Sequence, residues 1–254
     1  MSSVAILYSI NSATRRKFPK SNKIKGWCIR YELVCKNKRD YVKIKGDNIM
    51  QDDFAQKNRR RPIAITEIAI DKVPQTHIFG FDAMQNQYIQ SLHKLALKEA
   101  KQLNERCLTN EMEVGILVDI HSWDYNVIRG RRPCEVNIKN EAEALKMLLQ
   151  SRKNQLMFIH NHPSTGTFSG EDFKTFCMNK SLYIMSVVGN DGSVYLLIKN
   201  YDFDAERALL EYVRCAKEYY DKGYIRNNGT LAIKDILKHA SNYGIIYKKG
   251  RKGL

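Results

Sequence analysis

Short apolar runs with a two-residue period alternate along the chain with longer stretches whose apolar positions recur every three or four residues. That pattern belongs to a chain that mixes strands and helices. In the first 65 residues two candidate strands, Val4–Tyr8 and Trp27–Val34, stand between lysine-rich turns. Asn58-Arg59-Arg60-Arg61-Pro62 reads as a linker, because adjacent cations repel and proline disfavours helix before it. Ile63–Ile70 alternates as a strand. Tyr88, Leu92, Leu95 and Leu103, with Ile89 and Ala96 alongside, predict a helix from Gln85 to about Asn104.

Glu113–Asp119 is a short apolar strand, and a second begins at Asn126 across the turn His121–Tyr125. Val136–Ile138 is expected to continue that sheet. Asn140 is a good N-cap for a helix over Glu141–Ser151 whose buried stripe would be Leu145, Leu148 and Leu149. The strand Leu156–Ile159 follows, then a helix starting near Ser169 with Asp172 in its first turn. Leu182–Val188 and Val194–Ile198 flank the hairpin turn Asn190-Asp191-Gly192. Helices over Phe203–Tyr220 and Leu231–Ala240 complete the pattern, and the tail Lys248–Leu254 is expected to fray.

Composition narrows the class. With 254 residues, 43% hydrophobic and 27% charged, the chain can bury a sizeable core. No apolar run approaches the roughly 18 residues of a membrane span, and Met1–Ile10 does not read as a secretory signal. Cys28, Cys35, Cys107, Cys134, Cys177 and Cys215 are scattered without CxxC spacing. Reduced thiols and a cytoplasmic location are therefore expected. The net charge of +15 is uneven: residues 1–65 carry +11, residues 222–254 carry +7, and residues 66–221 carry −3. Basic ends of this kind suit an acidic or nucleic-acid partner, or are simply solvated surface.

The candidate chemistry lies in thirteen residues, His160 to Asp172. Two residues apart on an extended chain, His160 and His162 project to one face. Asp172 follows a connection rich in turn residues: Pro163, Gly166 and Gly170. Two imidazoles and a carboxylate suit zinc with water in the fourth position, which is the composition of a catalytic site. Nucleases named for His-Asn-His spread those residues over a larger unit. Zinc deaminases need His-x-Glu with Cys-x-x-Cys, and helical metalloproteases need His-Glu-x-x-His; neither is present. Asn161 points to the opposite strand face and reads as structural, Pro163 as the end of the strand, and Cys177 and Met178 as core.

The segment resembles the motif of the JAMM (JAB/MPN-type) zinc metalloproteases, in which His-x-His-Pro is followed by a Ser and, three residues later, an Asp. Here these are His160, His162, Pro163, Ser169 and Asp172. His-Asn-His-Pro is also the wording of bacterial and phage-associated members and of RadC-like proteins. Six residues separate His162 from Ser169, one fewer than in the best-known eukaryotic members. The resemblance spans about residues 78–200 and implies an α/β, cytidine-deaminase-like domain, a mixed sheet flanked by helices, over residues 63–221. Residues 1–62 would then be a separate basic module, and 222–254 a basic extension.

The resemblance further implies Zn2+ held by His160, His162 and Asp172, with Ser169 near the oxyanion. A glutamate on an upstream strand would be the general base: Glu113 at the entrance of Val114-Gly115-Ile116-Leu117, with Glu111 as the alternative. The substrate would be a polypeptide, ubiquitin-like or belonging to a phage or toxin system. A competing expectation is a catalytically silent zinc-binding module that contacts nucleic acid through its basic ends. The intact His/His/Ser/Asp set argues against lost catalysis.

Overall fold

The computed structural model describes residues 29–36, 39–46, 61–224 and 228–250. The expected strand Val4–Tyr8, the residues Asn58 to Arg60 of the linker, Cys28 and the last four residues lie outside them. The chain divides into two units, Met1–Lys57 and Asn58–Leu254. In the first, β1 (Ile29–Lys36) and β2 (Arg39–Gly46) form an antiparallel hairpin in which Leu33 pairs with Val42.

The second unit is mixed α/β. Its elements in order are α1 (Glu67–Asp71), α2 (Ala83–Cys107), β3 (Met112–Asp119), β4 (Tyr125–Pro133), α3 (Ala142–Gln150), β5 (Leu156–His162) and α4 (Gly170–Met178). Then come β6 (Leu182–Gly189), β7 (Val194–Lys199), α5 (Ala205–Asp221), α6 (Asn228–Lys238) and β8 (Ile245–Lys249). The strands form one sheet in the order β4-β3-β5-β6-β7-β8, with β5 and β6 parallel and all other neighbours antiparallel. A parallel pair needs a crossover, and α4 supplies it.

Strand periodicity divides the core in two. Val114, Ile116, Met157, Ile159, Ile184 and Leu196 turn to one face, where Ile89, Leu92, Ala96 and Leu97 of α2 cover them. Leu117, Phe158, Met185, Val187 and Leu197 turn to the other, against α3, α4, α5 and α6. With both faces covered, the central strands are buried along nearly their whole length. Among the described residues no helix is long and apolar enough to cross a membrane.

Several expectations are corrected. Ile63–Ile70 is not a strand: Thr66 Oγ1 accepts the Ala69 N–H and starts α1, leaving Ile68 65% exposed while Ala69 and Ile70 are buried. A cap overrode an alternation that was only apparent. Val136–Ile138 does not extend the sheet; Asn137 accepts the Lys139 N–H and opens a 3-10 turn over Ile138–Asn140. Asn140 lies in that turn, so Glu141 occupies the cap position of α3 without a side-chain cap bond. Leu149 is 73% exposed; Ala144 is the buried contact, with Met147 and Leu148 packed beside it.

Residues 228–250, within the expected basic extension, are part of the fold. Ala232, Ile233, Ile236 and Ile245 are core residues, and Lys248 and Lys249 lie in β8, paired to Leu196 and Tyr195.

Candidate metal centre

β5 carries both histidines. It ends at His162, where Pro163 has no N–H to continue a ladder. The parity of the strand puts His160 and His162 on the face of Phe158, whose ring stacks on His160 at 5.2 Å between centroids and 16° between planes. Room for that ring comes from β3. Gly115 pairs with His160 across the ladder, and a Cβ there would stand 2.6 Å from Phe158.

Asp172 reaches the same place from α4. Ser169 Oγ accepts the Asp172 N–H at 3.1 Å, and Asp172 Oδ2 accepts the Ser169 N–H at 2.6 Å, a reciprocal capping box. The helix start thereby aims the carboxylate at the strand. Gly170 lets this turn pass under the hydroxyl of Tyr212 on α5, with which any side chain would collide.

The three side chains converge. His160 Nε2 lies 3.1 Å from His162 Nε2 and 3.1 Å from Asp172 Oδ1, and His162 Nε2 lies 3.2 Å from Asp172 Oδ2. Two ligand atoms at zinc bonding distances in a tetrahedron stand about 3.3 Å apart, so the donor set fits that ion. His160 is 1% exposed, and its Nδ1 is buried without a hydrogen-bond partner among the described residues. Burial opposes the charge on both Asp172 and His162. Even so, the two imidazoles hold the Asp172 carboxyl well below the carboxylate range. Hydrogen bonding and charge from Asp172, with Glu113 behind it, raise His162 to about 9.

Glu113 is buried within β3. Continuing the register Gly115↔His160 by two residues sets it opposite His162, and its charge acts on that ring. Glu111 lies before the strand begins, its carbonyl bonded to the Cys134 N–H. Of the two upstream glutamates, only Glu113 is in the strand facing the histidines. Ser169 is exposed at the helix start, and the lone pair it gives to Asp172 N–H leaves its own hydroxyl proton to donate elsewhere. Cys177 is buried, and burial pushes its thiol up to about 12.

Sequence reasoning did not single out three supports of the site. Gly115 carried a signal, since a glycine inside an apolar strand marks close approach of another group. Phe158 is an ordinary core residue by sequence. Asn190 looked like turn chemistry alone, yet it is fully buried and its side chain reaches Asn161 and Ile63.

As arranged, His160, His162 and Asp172 could hold a divalent cation, with the charge of Glu113 acting on His162 from the neighbouring strand. No protein-family model, curated protein or solved structure matches the chain.

Proposed function

We propose that the protein is a zinc-dependent peptidase or isopeptidase of the JAMM type, with a cytidine-deaminase-like domain, acting on a polypeptide substrate. The observation that carries this reading is the convergence of His160, His162 and Asp172 with Glu113 on the neighbouring strand. His160, His162 and Asp172 would hold the ion, and zinc there supplies Lewis acidity and draws the pKa of water toward neutrality.

The chain's own groups then have separable tasks. Glu113 takes a proton from the attacking water and delivers it to the leaving amine nitrogen, as the water oxygen bonds to the carbonyl carbon and the C–N bond breaks. The Ser169 hydroxyl donates to the carbonyl oxygen as negative charge gathers there. Phe158, stacked on His160, sets an apolar ring against the buried side of the centre.

Elemental analysis tests the ligands. Wild type should carry about one zinc per chain and His160→Ala none; zinc retained by the variant overturns the assignment. Glu113→Gln should keep its zinc and cleave peptides about 100-fold more slowly or worse. Undiminished cleavage by that variant removes Glu113 from the mechanism.

A further inference from the structure

Asn161, between the two histidines, is fully buried. Its side chain leaves β5 to bond the backbone of β3 on both sides of Glu113. Oδ1 accepts the Val114 N–H at 2.7 Å, and Nδ2 donates to the Met112 carbonyl at 3.4 Å. Nδ2 also donates to Asn190 Oδ1 at 3.0 Å. Asn190 in turn gives its Nδ2 to the Ile63 carbonyl at 2.7 Å and its backbone N–H to the His162 carbonyl at 3.0 Å.

The backbone ladder between β3 and β5 runs from Asp119↔Leu156 to Gly115↔His160. Beyond that pair the Asn161 amide bridges the strands, over the residues that flank Glu113. We propose that Asn161, braced by Asn190, is a positioning residue for Glu113, fixing the separation of the two strands where the carboxylate faces His162. Its catalytic meaning rests on the peptidase reading above. Parity turns Asn161 away from the metal side, so it bears on the chemistry through the backbone it holds around Glu113 and not by touching the reacting atoms. An amide suits this place because one N–H needs an acceptor while two oxygens need donors. A carboxylate would set oxygen against oxygen at Met112 and Asn190.

The test uses the zinc-loaded full chain with a quenched-fluorescence peptide library, comparing wild type with Asn161→Ala and Asn190→Ala. The second variant leaves the bonds to β3 in place and serves if the first does not fold. Asn161→Ala should lower kcat about 10- to 100-fold, with KM within about threefold and zinc content unchanged. Asn190→Ala should show the same signs more weakly. Amide exchange should quicken at Val114 and not at Ile116.

Wild-type kcat in both variants overturns the proposal, as does zinc falling in step with activity. If wild type cleaves no peptide, it is the peptidase reading that fails. Amide exchange then decides the placement alone: unaltered protection of Val114 in Asn161→Ala overturns it, and loss confined to Met112–Val114 upholds it.

Discussion

Gly115 faces His160 across the β3–β5 ladder, and the space a side chain would fill is taken by the Phe158 ring, with Val136 close by. Replacing it by alanine must displace the ring that stacks on His160. Gly115→Ala should therefore cost about 1–3 kcal/mol of stability and, on the proposed zinc reading, weaken zinc binding about tenfold. Urea unfolding and chelator competition would measure the two. A variant that binds zinc like wild type would show that the stack does not orient the ligand. The convergence of His160, His162 and Asp172 was legible because the motif is short: strand parity and a helix cap bring the three together with little help from the rest of the chain. Gly115, Phe158 and Asn190 depend on neighbours distant in sequence, so no local pattern discloses them.

Among the elements, β8 contributes most beyond its size. Its five residues cover the edge of β7, a strand buried at every position, and they bring Ile245 into the core. A chain ending at Gly244 should lose at least about 2 kcal/mol from Ile245 alone, and the bared edge of β7 should promote association. Size-exclusion chromatography and denaturant midpoints would register both, and a wild-type midpoint would refute the role given to β8. In the sequence this strand hid within a lysine-rich tail, where Lys248 and Lys249 suggested solvent. An outermost strand tolerates such residues because only its inner edge must pair. Ile63–Ile70 failed in the opposite sense, its alternation yielding to the cap at Thr66. By contrast, α2, β5 and the β6–β7 hairpin had periods or turn chemistry strong enough to read directly.

Over the whole second unit, one sheet separates two apolar layers, and few ionisable groups sit inside either. His93 is one, fully buried on α2 and 2.6 Å from Ser186 Oγ on β6. Desolvation lowers its pKa from 6.5 to about 4. Between those values the unfolded chain binds more protons than the folded one, so stability rises with pH across the window and falls on acidification. The shift corresponds to about 3 kcal/mol lost between pH 7 and pH 4. Urea unfolding across that range should be steeper in pH for wild type than for His93→Gln, which keeps an amide for Ser186. Parallel pH dependences would clear His93 of this part. The difference between the two proteins isolates it from the carboxylates that titrate in the same range.

The capping box of α4 bears on how any chain with this motif should be judged. Ser169 and Asp172 exchange hydrogen bonds that start a helix, a task separate from holding an ion. Selection for folding alone would thus preserve both letters in a lineage that had abandoned catalysis. His160 caps no helix: besides its stack on Phe158, its Nε2 meets His162 and Asp172 alone among the described residues, and its Nδ1 meets none. When sequences drift, the histidines testify to a working centre, while the serine and aspartate can survive as relics of architecture.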